Sequence, residues 1–112
     1  MMSKQVFTHV KSKIRVPKSA KPILYLLNEH GVLTQKEILS MINLPAKTAR
    51  YAIKRLKEEG IIVSVPDLMD MRSQKYRIST EIQNLEEFDA LIRDAIEYSM
   101  VNQSRLFKPQ IS

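Results

Sequence analysis

Residues 34–60 read TQKEILSMINLPAKTARYAIKRLKEEG, and this stretch decides the fold. Thr34-Gln35-Lys36-Glu37 has the spacing of a capping box. In that motif the threonine hydroxyl accepts from the backbone N–H of Glu37, while the glutamate carboxylate accepts from that of Thr34. Ile38, Leu39 and Ile42 follow and make the buried side of a short helix. That helix must stop at Asn43-Leu44-Pro45, because a proline pushes the residue before it out of helical geometry. Pro45 opens the next helix, which runs to Glu59 and is closed by Gly60, a residue suited to a left-handed cap. Two helices joined by a three-residue turn are a helix-turn-helix.

The flanks complete the pattern. Upstream, Ser19 is placed to cap a helix with Pro22 in its first turn. Ile23, Leu24, Leu26 and Leu27 supply its apolar face, and the helix ends near Glu29 ahead of Gly31. Val32 and Leu33 form a very short extended piece. Downstream, Ile61 to Val65 reads as a strand from its β-branched content, and residues 66–74 as a polar loop. Residues 75–79 return as a second strand, and a last helix spans about Asn84 to Met100. The expected class is α+β, mostly α: a winged helix-turn-helix with a two-stranded β-wing and an extra C-terminal helix. Residues 1–18 show no clean period and fit a strand, a helix or a basic arm. Residues 19–80 make the domain, 81–102 the C-terminal helix, and 103–112 a flexible tail.

The third helix carries the functional expectation. At about 100° per residue, Ala49, Ala52, Ile53 and Leu56 share one side and face the other helices. The other side collects Lys47, Arg50, Tyr51 and Lys54, with Thr48 and Arg55 at an edge. Arginine and lysine can donate to guanine O6 and N7 or to phosphates, and threonine can bond a base edge or offer its methyl to thymine. The N-terminal part of the second helix of such a motif meets base edges. Lys47, Thr48, Arg50 and Tyr51 are therefore expected to read bases, while Lys54, Arg55 and Lys57 lie nearer phosphates. Lys75, on the returning strand, joins the DNA-binding set.

Charge distribution points the same way. The 112-residue chain carries a formal net charge of +6. Lys4, Lys11, Lys13, Arg15, Lys18 and Lys21 stand in the first 22 residues without an acid, whereas residues 81–112 are acidic overall. A polyanion partner for the first part and a different job for the last is the simplest physical account.

From Ala52-Ile53-Lys54-Arg55-Leu56-Lys57-Glu58-Glu59-Gly60-Ile61-Ile62 through Pro66-Asp67 and Asp70-Met71-Arg72-Ser73 to Tyr76-Arg77-Ile78-Ser79, the sequence resembles the MarR-type regulators. The resemblance covers residues 23–79, with Leu56, Gly60, Ile61, Ile62, Asp70, Arg72, Ile78 and Ser79 at the family's characteristic positions. It implies a winged-helix transcription factor that binds palindromic DNA as a homodimer, with Asp70 bracing the wing and Arg72 entering the minor groove. A narrow minor groove concentrates negative potential and attracts arginine. Members of that family have longer chains, often with a pocket for an aromatic ligand, so a small-molecule effector is not expected here.

In the last helix Leu85, Phe88, Leu91, Ile92, Ala95, Ile96 and Ser99 form a broad stripe, with Glu86, Glu87, Asp89, Arg93, Asp94 and Glu97 opposite. So apolar a stripe must be buried. It either packs on its own domain or pairs with a second copy; the dimer matches a two-fold site, and the dimerisation set is Leu85, Phe88, Leu91, Ile92, Ala95 and Ile96.

Other functions find less support. There is no cysteine, which removes thiolate metal sites and cysteine nucleophiles. His9 and His30 have no metal-ligand spacing, and neither a phosphate-binding glycine loop nor a Gly-x-Ser-x-Gly elbow is present. No enzyme activity, metal or cofactor is expected. The apolar runs are too short for a bilayer and the N-terminus lacks signal-peptide features, so a cytoplasmic protein is expected. The rival is a winged-helix module that binds another protein within a larger assembly. An RNA-binding role would need exposed stacking aromatics, for which Tyr51 and Tyr76 are the candidates.

Overall fold

The computed structural model describes residues 16–66, 68–69, 73–80 and 85–109. The elements in order are α1 (Ala20–His30), β1 (Val32–Thr34), α2 (Gln35–Met41), α3 (Ala46–Glu58), β2 (Ile62–Pro66), β3 (Gln74–Ile78), α4 (Leu85–Val101) and the single turn α5 (Gln103–Leu106).

Local chemistry accounts for most boundaries. Thr34 Oγ1 accepts from the Glu37 N–H at 3.0 Å, and Glu37 Oε1 accepts from the Thr34 N–H at 2.8 Å, so the capping box forms in full. α3 ends in a two-bond cap: the Ile61 N–H reaches the Leu56 carbonyl and the Gly60 N–H the Lys57 carbonyl, both at 3.0 Å. This arrangement needs a left-handed residue, and Gly60 supplies it at φ +77°. Gly31 ends α1 with a single bond, its N–H on the Leu27 carbonyl at 2.8 Å, and turns the chain at φ +87° and ψ −69°. The start of α1 differs from expectation. Ser19 has helical backbone angles and its hydroxyl caps nothing; the Pro17 and Lys18 carbonyls accept from Ala20 and Lys21 instead. A preceding turn has done the work assigned to the side chain.

The sheet has one strand more than the two-stranded wing. The short extended piece after Gly31 is β1, which pairs antiparallel with β3 through Val32–Arg77, Leu33–Tyr76 and Thr34–Lys75. β2 pairs on the other side of β3, from Ile62–Ile78 to Pro66–Gln74, so the order is β1-β3-β2. The wing is thereby bonded to the segment that leads into the capping box.

One core lies beneath these elements. Ile23, Leu24 and Leu27 of α1 meet Ile38 and Ile42, Ala49 and Ala52 of α3, Leu56, Ile61 and Ile62, with Ile92 and Ala95 closing it from α4. α4 packs along α1, and Lys21 Nζ ties the two helices by an ion pair to Asp94 at 2.8 Å while lying 5.0 Å over the Tyr98 ring. Two of the expected dimerisation residues, Ile92 and Ala95, are thus buried within their own domain, because α1 offers them an apolar surface a few residues wide. Glu87, expected on the solvated side, is also buried.

The expected flexible tail needs correction as far as residue 109. Residues 103–109 form α5 and an extended return in which Phe107 bridges Ile42, because Leu106 finds a buried seat. Residues 1–15 and 110–112 of the expected terminal segments lie outside the described residues. Among the described residues no helix is long and apolar enough to cross a membrane.

Candidate nucleic-acid interface

α3 is held by its inner side. Ala49 and Ala52 are fully buried, Ile53 and Leu56 nearly so, and the two small alanines let the helix backbone approach its neighbours closely. Nothing polar on this face competes for burial. The opposite face takes no part in the core and is turned to solvent. Lys47, Arg50, Tyr51, Lys54 and Lys57 are all exposed, and Thr48 is half-buried at the edge. Tyr51 stands out from the helix with 55% of its surface exposed, its hydroxyl available for a phosphate oxygen.

The expected cations are not equivalent. Arg55 donates through Nη1 to Glu58 at 3.0 Å and through Nη2 to Glu59 at 3.1 Å. The Glu58 hydrogen bond, with the Glu59 charge behind it, raises the Arg55 pKa above its ordinary value. Its guanidinium is already neutralised by one helical turn, and a phosphate would have to displace two carboxylates. Lys57 leans toward the sheet, with Nζ 5.8 Å over the Tyr76 ring. Lys47, Arg50 and Lys54 are left as the outward cations of the helix.

A shallow cleft of about 330 Å³ runs beside them, bordered by Gln35, Arg50, Ile53, Lys54, Lys57, Glu58 and Tyr76. It brings the first residue of α2 and the middle of β3 to the basic face of α3. A second hollow next to it is lined by Thr34, Gln35, Lys36, Ser73, Gln74 and Tyr76. Gln35, Lys36, Ser73 and Gln74 were not among the expected contacts. Their helix-start and strand-start positions are visible in the sequence, but their gathering around Gln35 and Tyr76 is set by the pairing of β1 with β3. Lys75 sits on β3, half-buried, opposite Thr34 and Val65.

At the tip of the wing Leu68 and Met69 are 83% and 94% exposed. Asp70 and Arg72, assigned to the wing by resemblance, lie outside the described residues. Tyr76 is 7% exposed and so offers no stacking platform; of the two aromatics an RNA-binding surface would use, Tyr51 alone is open. Among the described residues no group of acidic and histidine side chains is placed to hold a metal ion.

The stripe of α4 divides into two parts. Ile92 and Ala95 are buried against α1, whereas Phe88, Leu91 and Ile96 are only partly covered by the core. Leu85 begins the helix.

Comparison with known proteins agrees with this architecture. Residues 21–63 match the family described as winged helix-turn-helix DNA-binding. An uncharacterised HTH-type transcriptional regulator of Pyrococcus abyssi is 31% identical over 85 residues, covering 76% of this chain and 53% of that protein. Another, from Pyrococcus horikoshii, is 33% identical over 66 residues, covering 59% of this chain and 42% of that one. The chain spans about half the length of these relatives. Among solved structures, Bordetella bronchiseptica BpsR, whose DNA binding is regulated by 6-hydroxynicotinic acid, superposes with a TM-score of 0.62 at 17% identity, covering 89% of this chain and 68% of that one. Staphylococcus aureus MepR does so at 0.55 and 22% identity, over 92% and 79%. These neighbours are MarR-family regulators, and at such identities the likeness is one of fold.

Proposed function

From a chain that carries a winged helix-turn-helix domain, we propose a transcriptional regulator that binds double-stranded DNA sequence-specifically as a homodimer, with α3 in the major groove and the wing at the minor groove. The observation that carries this reading is the outer face of α3, where Lys47, Arg50, Tyr51 and Lys54 are exposed together with no acid among them. Arg50 is the base-reading residue, able to engage guanine O6 and N7 with two parallel bonds. Lys47, near the start of the helix, reads a base edge beside it, and Lys54, one turn further along, meets a phosphate. Thr48, half-buried, offers its methyl or hydroxyl to a base edge. Lys75 and Arg72 serve the wing side, with Arg72 directed into the minor groove.

The dimer reading rests on the width of the α4 stripe. Phe88, Leu91 and Ile96 present partly covered apolar surface after Ile92 and Ala95 have been used, and a second copy would complete the burial. A two-fold pair of α3 helices would then suit half-sites one helical turn apart.

A titration of random-sequence duplex DNA at several salt concentrations, with stoichiometry recorded, tests both parts. Expected are tight binding, a linear fall of log affinity with log salt of slope about −0.9 per phosphate neutralised, and two chains per site. Absence of binding at low salt defeats the DNA reading and favours a protein partner instead. One chain per site leaves DNA binding standing and removes the dimer. Leu91→Glu should yield monomers by light scattering; an unaltered mass would place that stripe wholly inside one domain.

A further inference from the structure

The segment after α4 is fastened to the turn that delivers the reading helix. Ile42 and Phe107 form an antiparallel bridge. On either side of it the Asn43 N–H donates to the Leu106 carbonyl at 2.6 Å and the Lys108 N–H donates to the Met41 carbonyl at 2.9 Å. The Asn43 side chain adds a bond from Nδ2 to the Arg105 carbonyl at 3.1 Å, and Lys108 Nζ reaches the Leu39 carbonyl at 3.4 Å. Leu106 is buried beneath, and the Phe107 ring packs 5.5 Å from that of Tyr25.

These bonds fall where the chain has little local support. The last carbonyls of a helix have no partners within it, and here those of Leu39 and Met41, at the end of α2, are taken by Lys108. Pro45 has no N–H with which to close the turn, so the link between α2 and α3 is held from outside. Asn43 stands two residues before Pro45, which precedes the first residue of α3. The strap is also rigidly joined to α4. The Leu106 N–H and Arg105 Nη2 bond to Asn102 at 2.9 and 2.6 Å, and Asn102 Nδ2 bonds back to the Tyr98 carbonyl at 2.8 Å. A cleft of about 200 Å³ between Tyr25, His30, Met41 and Phe107 runs alongside, so the strap is bonded at its edge without being sealed into the core.

The geometry points to residues 103–108 as a positioning strap: by pairing with Met41–Asn43 they fix the angle at which α3 meets its target, and they connect α4 to that angle. Asn43 and Phe107 are its positioning residues, acting through α3 without touching the bound molecule. This inference rests on the DNA-binding reading. It adds that the C-terminal segment, which carries none of the reading residues, sets how well they read, and that anything seated on α4 is felt at α3 through one short connection. The physical gain is preorganisation: a helix already held in its bound orientation loses less freedom on binding.

The test uses the full chain with Phe107→Ala, and with Asn43→Ala as a second variant that leaves the core untouched. In the free protein, amide exchange at Asn43 and in the first turn of α3, at the Ala49 N–H that bonds the Pro45 carbonyl, should quicken. Affinity for duplex DNA should fall by about three- to tenfold, the size of the ordering cost restored, with the salt slope unchanged because no phosphate contact is lost. Faster exchange at Asn43 with unchanged affinity would overturn the strap. So would a shallower salt slope, which would make Lys108 a phosphate contact instead. If the unaltered chain binds no duplex, the DNA reading fails on its own, and the strap is then judged by exchange: undisturbed protection in the first turn of α3 would overturn it.

Discussion

α3 and α4 are both amphipathic helices that turn small residues inward, yet the molecule uses them in opposite ways. In α3 the apolar stripe is as wide as the core requires: Ala49, Ala52, Ile53 and Leu56 are all buried, and apart from Ala46 at the first position the rest of the helix carries polar groups. In α4 the stripe is wider than the single domain covers. Ile92 and Ala95 are buried, Phe88, Leu91 and Ile96 are partly so, and Met100 and Val101 near the end are 60% and 78% exposed. The charges on the outer faces also differ in sign. α3 presents Lys47, Arg50 and Lys54, while α4 presents Glu86, Asp89, Asp94 and Glu97 with Arg93. A helix whose apolar side is fully used has an outer face available for a polyanion. A helix with apolar surplus and negative charge is repelled by phosphates and suited to a protein surface.

The sharpest way to break this contrast is to remove equal apolar bulk from each helix. Leu56→Ala should cost about 2–5 kcal/mol of unfolding free energy by denaturant titration, since its site is closed on all sides. Ile96→Ala should cost less than half as much at low protein concentration and more as concentration rises, if a second copy completes its burial. Equal and concentration-independent losses would erase the distinction between the two stripes.

The next effect concerns the outer faces. Arg50→Ala should weaken binding to a selected duplex by about 1–3 kcal/mol and flatten base preference at one position, with the melting temperature little changed. Arg55→Ala should weaken it less, because Glu58 and Glu59 already hold that guanidinium. If Arg55 proved the more costly of the two, the outward set on α3 would have to be redrawn.

Smaller effects test how α4 is seated. Lys21→Ala removes the ion pair to Asp94, whose side chain is half exposed to water, and should cost at most about 1 kcal/mol, less still at high salt. Ser99→Ala should be neutral or slightly stabilising in thermal unfolding. The Ser99 hydroxyl is fully buried in the helix without a hydrogen-bond partner among the described residues, so the alanine removes an uncompensated polar group. A marked loss would reveal a partner for that hydroxyl.

The candidate site divides along similar lines. The basic face of α3 was legible because helical spacing alone separates Ala49, Ala52, Ile53 and Leu56 from Lys47, Arg50, Tyr51 and Lys54. The pairing of Arg55 with Glu58 and Glu59 was within reach as well, since residues three and four apart on a helix are neighbours. The contribution of Gln35, Lys36, Ser73 and Gln74 to the hollow beside α3 was not. It depends on β1 meeting β3, residues some forty positions apart, and a three-residue extended piece has no pattern of its own to reveal a partner.

By itself the sequence determined what short-range chemistry controls: the capping box at Thr34, the glycine caps at residues 31 and 60, the stop before Pro45, and the segregation of charge on α3. Each depends on groups within about one helical turn, so neighbouring residues suffice to specify it. Tertiary structure decided what those neighbours could not. It placed β1 at the edge of the wing, withdrew Tyr76 and Glu87 from solvent, divided the stripe of α4 between α1 and the exterior, and seated the C-terminal strap on the turn before α3. These outcomes depend on which distant surfaces find the same core. Segments such as residues 103–108 have too little periodicity or propensity of their own to declare a structure until that core receives them.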